Sequence, residues 1–532
     1  MEKNTVSMAA GTVVSVDDNL YPNTLYKVPE EVRRKTSFAK PEFAAKAAPA
    51  SFLYAIFFTF CLYRNASGIT YPFYAAGTIG FAVYTIRKSG ISWSGEHILI
   101  LAASLLLGIS NCFTDNSRII LMNEAWIFVL MMYFLLSVYF DTKHWQLGKF
   151  MVSIPGLFFR SIGRMFSFFP DAQAWMEEHK GTKNSQALYV LAGVGISVPL
   201  IAVVLVLLSS ADVIFRESVD AIVGDIDGWD VFCCIFWFAA MFFFSYGMAS
   251  FLDSRELDET VKDHRKGQPV IAVSATAVIA LIYIYFCVIQ VVYLFGGYGT
   301  LPEGYTYAQY ARQGFFQLLF ICMMNLALVL IGLGFFRESK VLKGILLVIS
   351  LCTFIMTASS AYRMLLYIRA YYLTFLRIFV LWALAVIALL MAGIVGKTFK
   401  NSFPLFRYGL CVITVCYLVL SFGRPDYWIA RYNISACLEQ EAENPEAGRE
   451  LDVWYLSSLS ADAAPAIMTA ESAERYRTYE EEKERWLDGK AQVPDTPAWD
   501  VCYIERQKER AEKMSFRTYN FSRGYVRRAL KE

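Results

Sequence analysis

Glu124 and Arg377 are the residues whose types and placement carry the most chemistry in this sequence. Each is read as standing about five residues inside an apolar run, or about 7 Å at about 1.5 Å per residue. A single charge at the bilayer centre costs roughly 2.5–3.5 kcal/mol on insertion scales. Two opposite charges at matched depth are therefore expected to face the bundle interior as a pair, in contact or bridged by one water. Such a pair would clamp one half of the bundle and could gate a cavity. The stretch SSAYRMLLYIRAYYLTFLRIFVLW (359–382) adds Arg363 and Arg369 among Tyr362, Tyr367, Tyr371 and Tyr372. There the expected picture is an interface, with arginine stems snorkelling to headgroups and tyrosines forming an aromatic belt. Arg312 belongs with these interface residues. Asn325 stands mid-run and Gln290 near the end of another run, so each is a polar clamp between helices or part of a wet path.

Other chemistry is missing from the pattern. The sequence contains neither GxxxxGK[ST] nor HExxH, the motifs of phosphate cradling and zinc hydrolysis. The four histidines (97, 144, 179 and 264) share no helical face, and GISWSG (90–95) does not form GxSxG. The short connection Arg64-Asn65-Ala66-Ser67 carries no carboxylate, which counts against a multi-span sugar transferase. Nine of the eleven cysteines lie in apolar runs as small packing residues, and no CxxC is present. No catalytic residue, metal, cofactor or nucleic-acid partner is expected.

The elements that must position these residues follow from composition. Of 532 residues, 56% are hydrophobic and only 18% are charged, and the apolar residues gather into runs long enough to cross about 30 Å of hydrocarbon. Eleven spans are expected near 47–63, 67–86, 97–113, 119–140, 186–209, 231–252, 269–295, 315–336, 341–360, 372–396 and 403–421. Lys and Arg concentrate in the N-terminal segment and in alternate connections, such as Arg87-Lys88, Lys143–Lys183 and Arg255–Lys266. The positive-inside rule then puts the N-terminus in the cytoplasm and the C-terminus outside a cell membrane. Residues 1–46 show no signal-type apolar region and no sustained periodicity, and read as largely disordered. Residues 145–169 mix aromatics with Lys149, Arg160 and Arg164, suiting the cytoplasmic headgroup layer. Phe215, Val219, Ile222 and Ile226 share one helical face on the other side.

Residues 423–532 differ in kind. They hold 17 Lys and Arg against 21 Asp and Glu, and their pattern is helical with acid–base pairs. Trp454, Tyr455, Leu456, Leu459, Trp486, Trp499 and Tyr503 could build a small core. Cys437 and Cys502 are the two cysteines of this region, and they could bridge only if their Cα atoms came within about 7 Å. The expected architecture is thus an all-α polytopic membrane bundle of about eleven helices (47–422), with a helical extracytoplasmic domain (423–532).

LLSSADVIF (207–215), LPEGYTYAQYARQGFFQL (301–318) and 359–382 resemble signature stretches of a bacterial multi-span membrane family, and RPDYWIARYNI (424–434) and LDVWYLSSLSADAAPAI (451–467) resemble the segments after its last span. Its domains are known as domain of unknown function 4173 and its relative 4153. Gln309 and Tyr372 stand where that family often has Glu and Gly. The resemblance implies an integral membrane protein and supplies no catalytic residues. The expected function is a non-enzymatic envelope sensing or scaffolding protein, in contact with the lipid bilayer and with an extracytoplasmic protein partner through residues 423–532. The alternative is a permease for a small molecule or lipid, built around Glu124, Asn325 and the arginines.

Overall fold

The computed structural model describes residues 40–178 apart from 143, 144 and 146; 204, 207, 208, 210–212 and 215; 228–295 apart from 256 and 258–264; 314–443 apart from 401; 451–488; and 496–531. Most of the expected span at 186–209, the amphipathic face through Ile226, Gln309, Arg312 and residues 1–39 lie outside these. Among the described residues the secondary structure is helical apart from an isolated bridge between Gly267 and Phe336.

The bundle comprises α1 (Lys40–Leu62), α2 (Thr70–Lys88), α3 (Ile98–Phe113), α4 (Ser117–Tyr139), α5 (Leu147–Gly163), α6 (Phe168–Glu178), α7 (Gly228–Ser254), α8 (Pro269–Ile289), α9 (Phe315–Phe335), α10 (Lys340–Tyr371), α11 (Phe375–Phe399) and α12 (Leu405–Phe422). Nine helices among the described residues are long and apolar enough to cross a membrane: α1, α3, α4 and α7 to α12. Between α1 and α3 packs α2, whose 19 residues reach roughly 28 Å. Leu53, Leu99, Leu121, Leu281 and Val419 are exposed along these helices, as lipid-facing residues must be.

Charge sorts the two ends. At one end Arg64 pairs with Asp230. At the other, Glu338 joins Arg265 at 2.7 Å and Lys343 at 3.1 Å, and Arg407 meets Glu96 at 3.3 Å. At the basic end, α5 and α6 pack into the bundle while Met151, Phe159 and Phe166 point outward. Gly247 of α7 lets α5 close in, because a Cβ there would lie 2.7 Å from the Ser161 carbonyl oxygen.

The C-terminal layer is α13 (Pro425–Glu443), α14 (Val453–Ser457), α15 (Ala464–Ile467), α16 (Ala470–Leu487), α17 (Trp499–Glu512) and α18 (Phe521–Ala529). It covers the end of the bundle that carries Arg64 and Asp230. Its Leu456, Leu459 and Tyr503 are buried, in one apolar cluster with Leu107 and Ile119 of the bundle. Trp454, by contrast, is 79% exposed. Cys437, buried in α13, and Cys502, exposed on α17, are not joined in a disulfide.

One boundary differs from the sequence reading. Helix α10 does not stop near residue 360 but runs on to Tyr371, so the connection to α11 is only Tyr372–Thr374. Tyr372 takes φ +63° and ψ 179°, a region that normally needs glycine. The C-terminal layer holds this turn. Asn433 accepts the Leu373 N–H at 2.7 Å and donates to its carbonyl at 2.9 Å, and the Tyr455 hydroxyl accepts the Phe375 N–H at 2.9 Å.

Candidate functional site

Three helix starts converge beneath the C-terminal layer, each bringing an aspartate. Asp115 precedes α4, whose cap Asn116 accepts from the Arg118 and Ile119 N–H groups. Asp426 lies in the first turn of α13, and Asp462 sits in the turn that Ser460 caps before α15. A helix N-terminus favours an anion, so each carboxylate is locally reasonable. Together they form a cluster whose members are all under 5% exposed.

The cluster is bonded reciprocally across the junction. The Asp115 N–H donates to Asp462 Oδ1 at 2.9 Å, while the Ala461 N–H donates to Asp115 Oδ2 at 3.3 Å. Thr114 donates to Asp462 Oδ2 at 2.6 Å. Asp426 accepts from Asn116 Nδ2 at 2.9 Å and from the Ser460 hydroxyl at 2.6 Å. Arg510 of α17 and Arg523 of α18 pair with Asp115 at 2.9 and 2.6 Å. Burial pushes the Asp462 carboxyl up to about 6; donors from Ser522, Thr114 and the Asp115 backbone oppose the rise, and neighbouring Asp426 adds to it.

From this cluster a buried polar column descends between α3, α4 and α12. Asn520 donates to the carbonyls of Thr114 at 2.8 Å and Asn111 at 3.2 Å. Asn111 Oδ1 accepts from Asn123 at 2.6 Å, and Asn123 Oδ1 accepts from Tyr417 at 2.6 Å and Ser421 at 2.8 Å. Below them Trp126 donates to Thr414 at 3.1 Å.

The expected pair is not formed. Glu124 accepts a 2.8 Å hydrogen bond from Tyr71 of α2, and no ion pair joins it to Arg377. Arg377 donates instead to the carbonyls of Tyr371 and Tyr372, with its guanidinium 4.3 Å from the Tyr367 ring centroid. The longer α10 explains the difference. Arg377 falls in the first turn of α11 and serves the carbonyl end of α10, a favourable place for a cation. Glu124 lies two turns into α4, about 7 Å deeper at about 1.5 Å per residue.

Arg363 does not snorkel either. It is 7% exposed and donates to Gln290 Oε1 at 3.2 Å, which also accepts from Ser359 at 2.6 Å. Gln290 opens a π-type turn ending α8, so the ladder is widened where this side chain reaches α10. Arg369 is exposed. Asn325 is fully buried, accepting from Tyr283 at 2.7 Å and donating to Thr353 at 3.0 Å. Asn325→Leu orphans the Tyr283 hydroxyl and should cost about 1–2 kcal/mol, the range for interhelical hydrogen bonds in membranes. A lowered melting temperature in detergent would show it, and an unchanged one would contradict the clamp.

Sequence reasoning missed Asp115, Asp426 and Asp462. Their local signal was an acid at a helix entry beside Pro, Ser or Asn, in FTDN, RPDYW and LSADAAP.

The fold and site define an all-α integral membrane protein whose C-terminal helices are docked on one end of its bundle through buried carboxylates. The model of the domain of unknown function DUF4153 matches residues 101–470, more than half of the chain, and the chain belongs to that family. The matched region contains all three aspartates and stops before Arg510 and Arg523. Neither a curated protein nor a solved structure matches the chain.

Proposed function

We propose that this is a non-enzymatic cell-envelope sensing or scaffolding protein whose C-terminal helical layer is its extracytoplasmic interaction module. The observation that carries this reading is the buried carboxylate cluster. It fastens the layer to the bundle, and its polar column extends the connection between α3, α4 and α12. A strain or charge change in the layer therefore meets membrane helices directly. The permease reading asks for polar groups lining a wet path. Asn325, Gln290 and Arg363 instead bond to neighbouring helices, which favours a closed bundle.

The layer presents apolar side chains to a partner, with Trp454 79% and Phe516 82% exposed. Crosslinking the full-length tagged chain in its own membranes should trap a specific extracytoplasmic protein. Trp454→Ser and Phe516→Ser should abolish that crosslink without loss of membrane insertion. The same partner captured equally by both variants would count against these residues as the contact. Protease applied to intact protoplasts should cut the layer while sparing the connection through residues 143–183; the opposite pattern would reverse the orientation.

A further inference from the structure

Two apolar hollows in the membrane-spanning region share a wall. The first is a groove on the lipid-facing side of α1 and α2, floored at Gly77 and Gly80 and edged by Leu53 and Tyr84. Leu53 is exposed, and a Cβ at Gly80 would meet nothing within 4 Å, so the groove is open to hydrocarbon. The second is a partly open cavity of about 240 Å³ between α1, α2, α4 and α7. It exceeds the about 150 Å³ apolar cavity that holds benzene. Met131, Met132, Met241 and Met248 line it, and unbranched thioethers adapt to varied apolar shapes.

Tyr54 and Phe81 line both hollows. Their rings stack at 4.6 Å and 12°, and the Tyr54 hydroxyl is bonded to Thr78 Oγ1 at 2.9 Å. A stacked pair is thus shared by the lipid-facing groove and the interior, hinged on one hydrogen bond.

We propose that the interior cavity binds the acyl chain of a bilayer lipid, admitted sideways from the membrane past the Tyr54–Phe81 pair. The medium at the groove is hydrocarbon, and the cavity lining is mainly apolar, with Thr78 and Thr85 the hydroxyl-bearing exceptions beside Tyr54 and Tyr74. An apolar void of this size is costly to leave empty, water does not favour filling it, and a lipid tail is the apolar matter at its door. The Glu124–Tyr71 hydrogen bond joins α4 and α2 one helical turn from the cavity, on the side of the C-terminal layer.

The test uses the full-length protein in nanodiscs containing a phospholipid with a diazirine near its chain end. After irradiation, peptide mapping should find label on the inward-facing Met131, Met132, Met241 or Met248, as well as on the lipid-facing Leu281. Ala82→Trp, at a buried lining position, should reduce the inner label to background while Leu281 stays labelled. Phe81→Ala should speed the inner labelling. Label confined to the perimeter in the wild-type protein would overturn the proposal whether or not the variants fold. Undiminished inner label in an Ala82→Trp protein that melts normally would overturn it too.

Discussion

Asp115→Ala should release the C-terminal layer from the bundle. The Asp115 side chain is fully buried, and it holds Arg510 at 2.9 Å and Arg523 at 2.6 Å from two different helices. Removing it leaves two cations facing a site built for an anion, along with an orphaned Ala461 N–H. Breaking a buried pair by deleting one partner costs about 3–5 kcal/mol. Arg523 is itself 14% exposed, so water only partly repays it. Hydrogen exchange should show α17 and α18 losing protection while α4 and α12 keep theirs. The double variant Asp115→Ala/Arg523→Ala should lose less than the sum of the single changes, since the second removes a charge the first left unpaired. Unchanged protection of α18 in Asp115→Ala would mean that apolar contacts alone dock the layer.

The contrast between what the sequence revealed and what it hid has a physical basis. Span positions were legible because hydrocarbon demands long apolar runs, and α1, α4, α9 and α12 lie where those runs lie. Depth within a span was less legible. Tyr362, Arg363 and Arg369 resemble an interface, but Arg363 is buried and donates to Gln290 in the π-type turn after α8, and the helix continues past it. That one extension moves Arg377 to the end of the bundle and removes its match with Glu124. The Tyr372 turn carries a related lesson, because a residue poorly suited to φ +63° is held there by Asn433 and Tyr455, far along the chain. The aspartate cluster was illegible for the same reason. Asp115 is separated from Asp426 and Asp462 by most of the bundle, and each alone is an ordinary helix-entry acid. Their meaning arises only when three helix starts meet.

Acidification should tighten the docking of the C-terminal layer, through Asp462. Its carboxyl is raised from an ordinary 3.8 to about 6, chiefly by burial. A raised carboxylate pKa means that the docked state binds a proton the unfolded chain has already released. Between about pH 4 and pH 6 the undocked, unfolded state therefore holds fewer protons, and stability falls as pH rises. The contribution is fully present below about pH 4, declines through the window and is gone above about pH 6. The rise from 3.8 to about 6 corresponds to about 3 kcal/mol, a tenfold change in proton affinity being worth about 1.4 kcal/mol. The facing groups shape this response: Thr114, Ser522 and the Asp115 N–H favour the charged form, whereas Asp426 opposes it. Asp462→Asn keeps the shape and cannot titrate, so its stability profile should lose this slope while other carboxylates, such as Glu480 beside Lys508, act alike in both proteins. The measurement is protease protection of the layer from pH 4 to pH 7 in wild type and variant. A difference profile that stays flat across that range would show that Asp462 keeps its charge when docked. A difference that declines with rising pH would make the junction responsive to the acidity of the compartment the layer faces, and Asp462 the group that reads it.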